Sequence, residues 1–226
     1  MKKGKGVFIV LDGIDGSGKA TQTALLLDRL KAAGHKTGTI DFPQYYDNFF
    51  GKLTGEYLTG KLGDVDPRLA SILYALDRWE SKGEIEKALK EGKIFVCNRY
   101  MSANMIHQGG RVQNAKQRNE MMEFLKKMEF EIFGIPKPDV VLYLDVLPEV
   151  GQKLIGKKSS RAYKGKKKDI HESDKRHLIN ARNQALRLVK DNDDWKKINC
   201  MQGKEILSPE EVSELIWKEV MGILKK

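Results

Sequence analysis

Cysteine is nearly missing from this chain. Cys97 and Cys200 are the only two in 226 residues, and they lie far apart. Two such thiols build neither a disulfide framework nor a cysteine zinc site. Proline is sparse, with six residues, and none gathers into a linker that would divide the chain. Long apolar runs are also lacking. The opening run Val7–Leu11 stops at Asp12, far short of the roughly 20 residues that cross a bilayer and too short for the core of an export signal. The expectation is a soluble protein of the reduced cytoplasm, with one domain over residues 1–226 and no membrane partner. Charge is what the chain has in quantity: 41 Lys+Arg against 31 Asp+Glu, a net +10. With 40% hydrophobic residues a core is still expected, and wholesale disorder is excluded.

The excess of positive charge suits polyanionic partners, whether nucleic acid or small phosphorylated substrates. Seven basic residues fall between Lys157 and Lys168, with Tyr163 as the lone aromatic. Such a run is ordinarily a solvated loop, and no nucleic-acid fold motif accompanies it.

Short β-branched runs alternate with helical patterns. Strands are expected at 7–11, 36–41, 94–97, 139–145 and 196–199. Helices are expected at 20–33 (on apolar positions 24, 25, 27 and 30), 67–90, 115–133, 148–155 and 172–190, with a last one from Ser208. This alternation predicts an α/β fold, a doubly wound, five-stranded parallel sheet flanked by helices. Ligands of such sheets bind beyond the carboxyl ends of the strands, where Asp12–Lys19, Phe42-Pro43, Asn98-Arg99 and Asp145 fall.

Gly13-Ile14-Asp15-Gly16-Ser17-Gly18-Lys19 fits the first seven positions of the P-loop (Walker A) pattern G-x-x-x-x-G-K-[ST], between a strand and a helix. Its glycines let backbone N–H groups surround phosphate oxygens at a helix N-terminus. Lys19, read as a solvent-facing ammonium, would serve the β- and γ-phosphates. Ala20 stands where a Mg²⁺-binding hydroxyl is expected, and Thr21 lies about 100° further round the helix.

Beyond the loop, the ordered motifs resemble the thymidylate kinase family over nearly the whole chain. They are Phe42-Pro43, Tyr74-Ala75-Leu76-Asp77-Arg78, Asn98-Arg99-Tyr100, Asn104 with His107-Gln108-Gly109-Gly110, and residues 138–146. Arg161 and Asp169-Ile170-His171-Glu172 fall in that family's lid, about 157–171. The resemblance implies transfer of the γ-phosphoryl of ATP to dTMP with Mg²⁺ as cofactor, and a homodimer; nucleic acid becomes an improbable partner. It further implies that residues 13–19, with Ala20 and Thr21, hold ATP, and that Lys19, Arg99, Arg161 and Asp15 are catalytic. Phe42, Pro43, Gln108 and Glu172 would border dTMP. Tyr74 would stack on the thymine, Arg78 would donate to its carbonyl, Asn104 would meet the base edge, and Arg99 would hold the acceptor phosphate. Gly16 leaves the phosphate loop without an arginine, which assigns that role to Arg161. His107 replaces a tyrosine that screens against a ribose 2′-hydroxyl. Asn98 stands where the family has Asp. With Ala20 it removes two Mg²⁺-organising groups, so Asp15 and Asp12 would hold the metal, mainly through water. A nucleotide-binding pseudoenzyme, a kinase for another nucleotide, and a nucleic-acid-binding ATPase stay open as rivals. The spacing of His171, Glu172, Asp174 and His177 does not suit a metal site.

Overall fold

β1 (Val7–Asp12) is apolar along its length because it is covered on both faces. It lies at the centre of a five-stranded sheet ordered β2-β3-β1-β4-β5, whose other members are β2 (Thr37–Asp41), β3 (Ile94–Asn98), β4 (Val140–Asp145) and β5 (Trp195–Asn199). All four pairings are parallel. The computed structural model describes residues 6–157 and 175–225.

The register decides where the chemistry sits. Leu11 pairs with Asn98 and Asp12 with Tyr143, so β1 and its two neighbours end side by side. The loops leaving β1 and β3 therefore emerge at one edge, and the turn leaving β2 joins them, since Phe42 N donates to Asn98 O at 3.0 Å.

Helices pack on both faces. In chain order they are α1 (Lys19–Ala32), α2 (Phe49–Leu58), α3 (Pro67–Glu80) and α4 (Lys82–Lys90). An irregular run, α5, follows β3: Met101–Ala103, a π-helical Asn104–Gln108, and Gly109–Arg111. Then come α6 (Ala115–Lys126) with a π-helical continuation Lys127–Ile132, α7 (Pro148–Lys157), α8 (Lys175–Asp191) and α9 (Pro209–Leu224). Two large clusters pack on the sheet, and a smaller one of Tyr57, Leu58 and Ala70 joins α2 to α3. Phe8, Val10, Phe95, Tyr100 and Tyr143 lie in one of the large clusters, and Ile9, Leu11, Val96, Leu142 and Leu144 in the other. Alternate residues of one strand thus serve opposite faces.

Every expected strand is present. The single helix expected over 67–90 is two, broken at Ser81, beside Gly83; neither residue is a strong helix former. α2 and α5, which carry glycines at 51, 55, 109 and 110, were not among the helices expected. On α2, Asn48 caps the helix by accepting from Gly51 N at 2.6 Å. α1 buries Lys19, Gln22, Thr23, Leu26 and Leu30, so of the expected positions only Leu30 is fully buried, with Leu25 and Leu27 half-buried and Ala24 exposed. The run Ala24-Leu25-Leu26-Leu27 carries no period of its own, so the loop preceding it sets the helix's rotation. A short hairpin, β6 (Met201–Gln202) with β7 (Glu205–Ile206), was also unforeseen. α9 begins with the capping box that its Ser-Pro-Glu-Glu start predicts.

α7 braces the phosphate loop through backbone contact. A Cβ on Gly16 would strike Gly151 O, and a Cβ on Gly151 would lie 2.7 Å from Asp15 O. Gly151→Ala is therefore expected to cost about 1–3 kcal/mol through overpacking, whereas Gly222→Ala, with open space around it, is expected to be neutral or stabilising by up to about 1 kcal/mol. Thermal unfolding of the two variants checks this.

Candidate active site

At the shared edge lies a cavity of about 360 Å³. Asp15, Gly16, Gly18, Lys19 and Ala20 line one side. Phe42, Pro43, Tyr74, Arg78, Arg99, Asn104, His107 and Gln108 line the other. The phosphate-loop residues and the acceptor-side residues singled out from sequence thus meet in one space, joined there by Asp41, Tyr45, Leu58, Asn98, Ala103 and His177. Gly13, Ile14 and Ser17 are buried beneath the loop, and Thr21 is exposed outside the lining. Arg161 and Glu172 fall outside the described residues, as does the expected lid beyond Lys157.

The loop turns as its glycines require. Gly16 and Gly18 have φ of 81° and 87°, a conformation that costs glycine little. A Cβ on Gly13 would lie 2.5 Å from Ser17 Oγ. Gly18 caps α1 without a side-chain hydrogen bond, leaving the helix's first N–H groups for an anion. Lys19 is not the solvent-facing group expected. It is 7% exposed, and Nζ donates to Gly13 O at 2.9 Å and Ile14 O at 3.0 Å.

Arg99 leaves β3 in the left-handed region, φ 64°, a strained choice for a residue with a side chain. The turn is held by Arg99 N donating to Leu11 O at 3.0 Å. The guanidinium enters the cavity, where Nη2 donates to Asp15 Oδ1 and Nη1 lies 3.0 Å from His107 Nε2. Arginine only donates, so Nε2 accepts, and the proton of a neutral His107 ring sits on Nδ1. That nitrogen is 3.2 Å from His177 Nε2. Burial, with Arg99 and His177 adding to it, holds His107 well below the ordinary histidine range. Burial opposes the charge on Arg99, but Asp15 and Asp12 outweigh it.

Asp12 does not fit its expected place beside a metal. It is fully buried and outside the cavity lining. Oδ1 accepts from Gly13 N at 2.8 Å and Oδ2 from Ser102 Oγ at 2.6 Å. Burial pushes its carboxyl up. It ties the start of the loop to α5. Asp145 likewise pairs with Arg182, at 2.7 and 3.2 Å. Asn98 behaves differently: its Oδ1 is buried in the lining and has no hydrogen-bond partner among the described residues.

Arg78 is 2% exposed and forms a two-point ion pair with Glu129, at 2.6 and 2.7 Å. Asn104 Nδ2 donates to Glu129 Oε1 and to Ser71 O, both at 3.0 Å. Asp77 accepts from Gln44 N and Asn48 Nδ2, fastening the Phe42-Pro43 turn to α3.

Glu129 went unnoticed in the sequence, and His177 was weighed there only as a metal ligand. Each had a signal: a polar residue inside an apolar stripe. Glu129 follows Met121, Met122, Leu125 and Met128, and His177 precedes Leu178, Ala181, Ala185 and Leu188.

A family model described as thymidylate kinase matches residues 11–211. Human thymidylate kinase is 34% identical over 142 residues, which cover 63% of this chain and 62% of that protein. The Arabidopsis thaliana enzyme of that name is 35% identical over 147 residues, 65% of this chain and 51% of that protein. The chain thus spans less than two thirds of either relative's length. The Mycoplasmoides gallisepticum thymidylate kinase is 30% identical over 201 residues and matches 87% of both chains. A solved thymidylate kinase structure from Candida albicans superposes with a TM-score of 0.75 at 23% identity, over 98% of this chain and 93% of that one, a likeness of fold.

An unfolded histidine titrates near 6.5, whereas buried His107 takes its proton only well below that. As pH falls under about 6.5 the unfolded chain binds a proton that the folded chain refuses, so His107 lowers stability there and has no such effect above it. Denaturant unfolding at about pH 7.5 and 5.5 should show this loss in the parent and a smaller one in His107→Gln.

Proposed function

The chain belongs to the thymidylate kinase family, and from that premise we propose that it transfers the γ-phosphoryl group of ATP to dTMP, giving dTDP and ADP. The observation that carries the reading is the single cavity bordered by Lys19 and the phosphate loop on one side and by Arg99, Tyr74, Arg78 and Asn104 on the other. Phosphoryl transfer asks a protein mainly for positioning and for positive charge around the transferring group.

The roles follow from placement. The turn of Gly16 and Gly18 and the open N-terminus of α1 take the ATP phosphates, with Lys19 as the buried cation. Arg99, aimed by Asp15 and His107, holds the acceptor phosphate. Tyr74 offers a ring to the base, and Arg78 and Asn104 its polar contacts. Magnesium would neutralise charge on the phosphate oxygens. The residues fit it: Asn98 Oδ1 is an acceptor without a partner among the described residues, and the Asp15 carboxylate shares that cavity. Both suit a cation that keeps several waters. Ala20 contributes no oxygen, and Asp12 is spent on Gly13 and Ser102.

No helix among the described residues is long and apolar enough to cross a membrane, and a cytoplasmic location accords with the family. For the homodimer that the family implies, exposed Phe49, Leu69 and Trp79 on α2 and α3 offer apolar surface.

ADP release measured across a panel of nucleoside monophosphates should be fastest with dTMP and should require Mg²⁺. No turnover with any acceptor would favour a pseudoenzyme, the rival that Ala20 and Asn98 suggest. Arg99→Ala should raise KM for the acceptor about ten- to hundredfold, the worth of a charge-assisted contact, with little change for ATP. Lys19→Ala should abolish transfer and also lower Tm, because it removes two ties within the loop.

A further inference from the structure

Glu129 touches no part of the cavity, yet it holds both polar residues expected at the base. It is fully buried, on the π-helical turn that continues α6. Its two oxygens meet Arg78 Nε and Nη2, and Oε1 also accepts from Asn104 Nδ2. We infer that Glu129 is a positioning residue that fixes which edge of the Asn104 amide faces the cavity, and thereby which pyrimidine the site accepts. The inference rests on the thymidylate kinase reading.

An amide nitrogen has two protons to give and its oxygen only accepts. The neighbours of Asn104 Nδ2 are the Glu129 carboxylate and the carbonyl of Ser71, both acceptors. They take both protons, so the amide cannot be turned over without setting oxygen against oxygen. Oδ1 is the group left for a ligand, and it is an acceptor. Arg78 spends Nε and Nη2 on Glu129, and among the described residues its Nη1 has no hydrogen bond. A guanidinium nitrogen is a donor. Both residues line the cavity, which therefore offers one donor and one acceptor side by side.

That pair complements a 4-oxopyrimidine. Thymine and uracil carry the O4 acceptor next to an N3–H donor. Cytosine reverses both, with a 4-amino donor beside an N3 acceptor. Selection for a 4-oxo over a 4-amino base thus originates in Glu129, one step behind the residues that touch the base. Glutamine at position 129 could donate to Asn104 Oδ1, which leaves the carbonyl of Ser71 as the one acceptor still holding Nδ2 and weakens the preference for presenting Oδ1.

The test compares kcat/KM for dTMP, dCMP and 3-methyl-dTMP, whose N3 bears no proton. The parent protein should favour dTMP over both others by about a hundredfold or more, as a site built for specific hydrogen bonds rejects analogues that cannot make them. Glu129→Gln should shrink the dTMP-to-dCMP ratio about tenfold, chiefly through KM for the acceptor, with KM for ATP unmoved. If Glu129→Gln does not fold, Glu129→Asp serves. It keeps a charge opposite Arg78 but is one methylene too short to reach both partners, so its ratio should fall as well. A variant that folds and keeps the parent's ratio, or loses kcat equally for all acceptors, overturns the inference and leaves the kinase reading standing. Parent protein that accepts 3-methyl-dTMP as readily as dTMP also overturns it. Parent protein inert toward dTMP but active on another monophosphate refutes the kinase reading and this inference together.

Discussion

A carboxylate shut away from water governs the side of the cavity that Arg78 and Asn104 line. Glu129 can be buried only because Arg78 meets it at two points and Asn104 adds a third hydrogen bond. Removing one partner of such a pair leaves an uncompensated charge, at about 3–5 kcal/mol. That demand binds α3, α5 and the turn beyond α6 into one polar frame. Two of its members also line the cavity, so the frame and the binding surface are the same residues seen from opposite sides.

The donor end depends on a different constraint, the parallel register of three strands. Because β1 and β3 end nearly level and β4 runs only two residues past the partner of Asp12, Asp12, Arg99 and Asp145 arrive at one edge. Each carboxylate is then bound to a neighbouring element, Asp12 to Ser102 and Asp145 to Arg182. Arg99 crosses from this edge into the cavity at the expense of a left-handed backbone, and Asp15 and His107 determine where its guanidinium points. Backbone strain of this kind gathers at functional sites, and Arg99 lines the cavity.

Much of this was legible beforehand, for physical reasons. The three central strands, covered on both faces, read as unbroken apolar runs; the half-exposed edge strands β2 and β5 gave a weaker signal; and a P-loop has few alternatives between a strand and a helix. α2 and α5 were missed because glycines that serve close packing look like loop; Gly51 and Gly110 each lie against neighbouring backbone. The burial of Lys19 and the placement of Asp12 outside the cavity lining were not foreseen because motif position says nothing about burial. Glu129 was invisible to motif reasoning for the same cause: its function lies in partners 51 and 25 residues away, and only the fold brings them together. The polar residue within the Met121–Met128 stripe was the one local hint.

The proposed transfer requires one cavity to serve both nucleotides and to keep water from the transferring group. Following a ³²P label from the γ-position of ATP tests that directly, with dTMP and Mg²⁺ present. The label should appear in dTDP, with little released as inorganic phosphate. Label recovered mainly as inorganic phosphate, or retained in ATP, would contradict it.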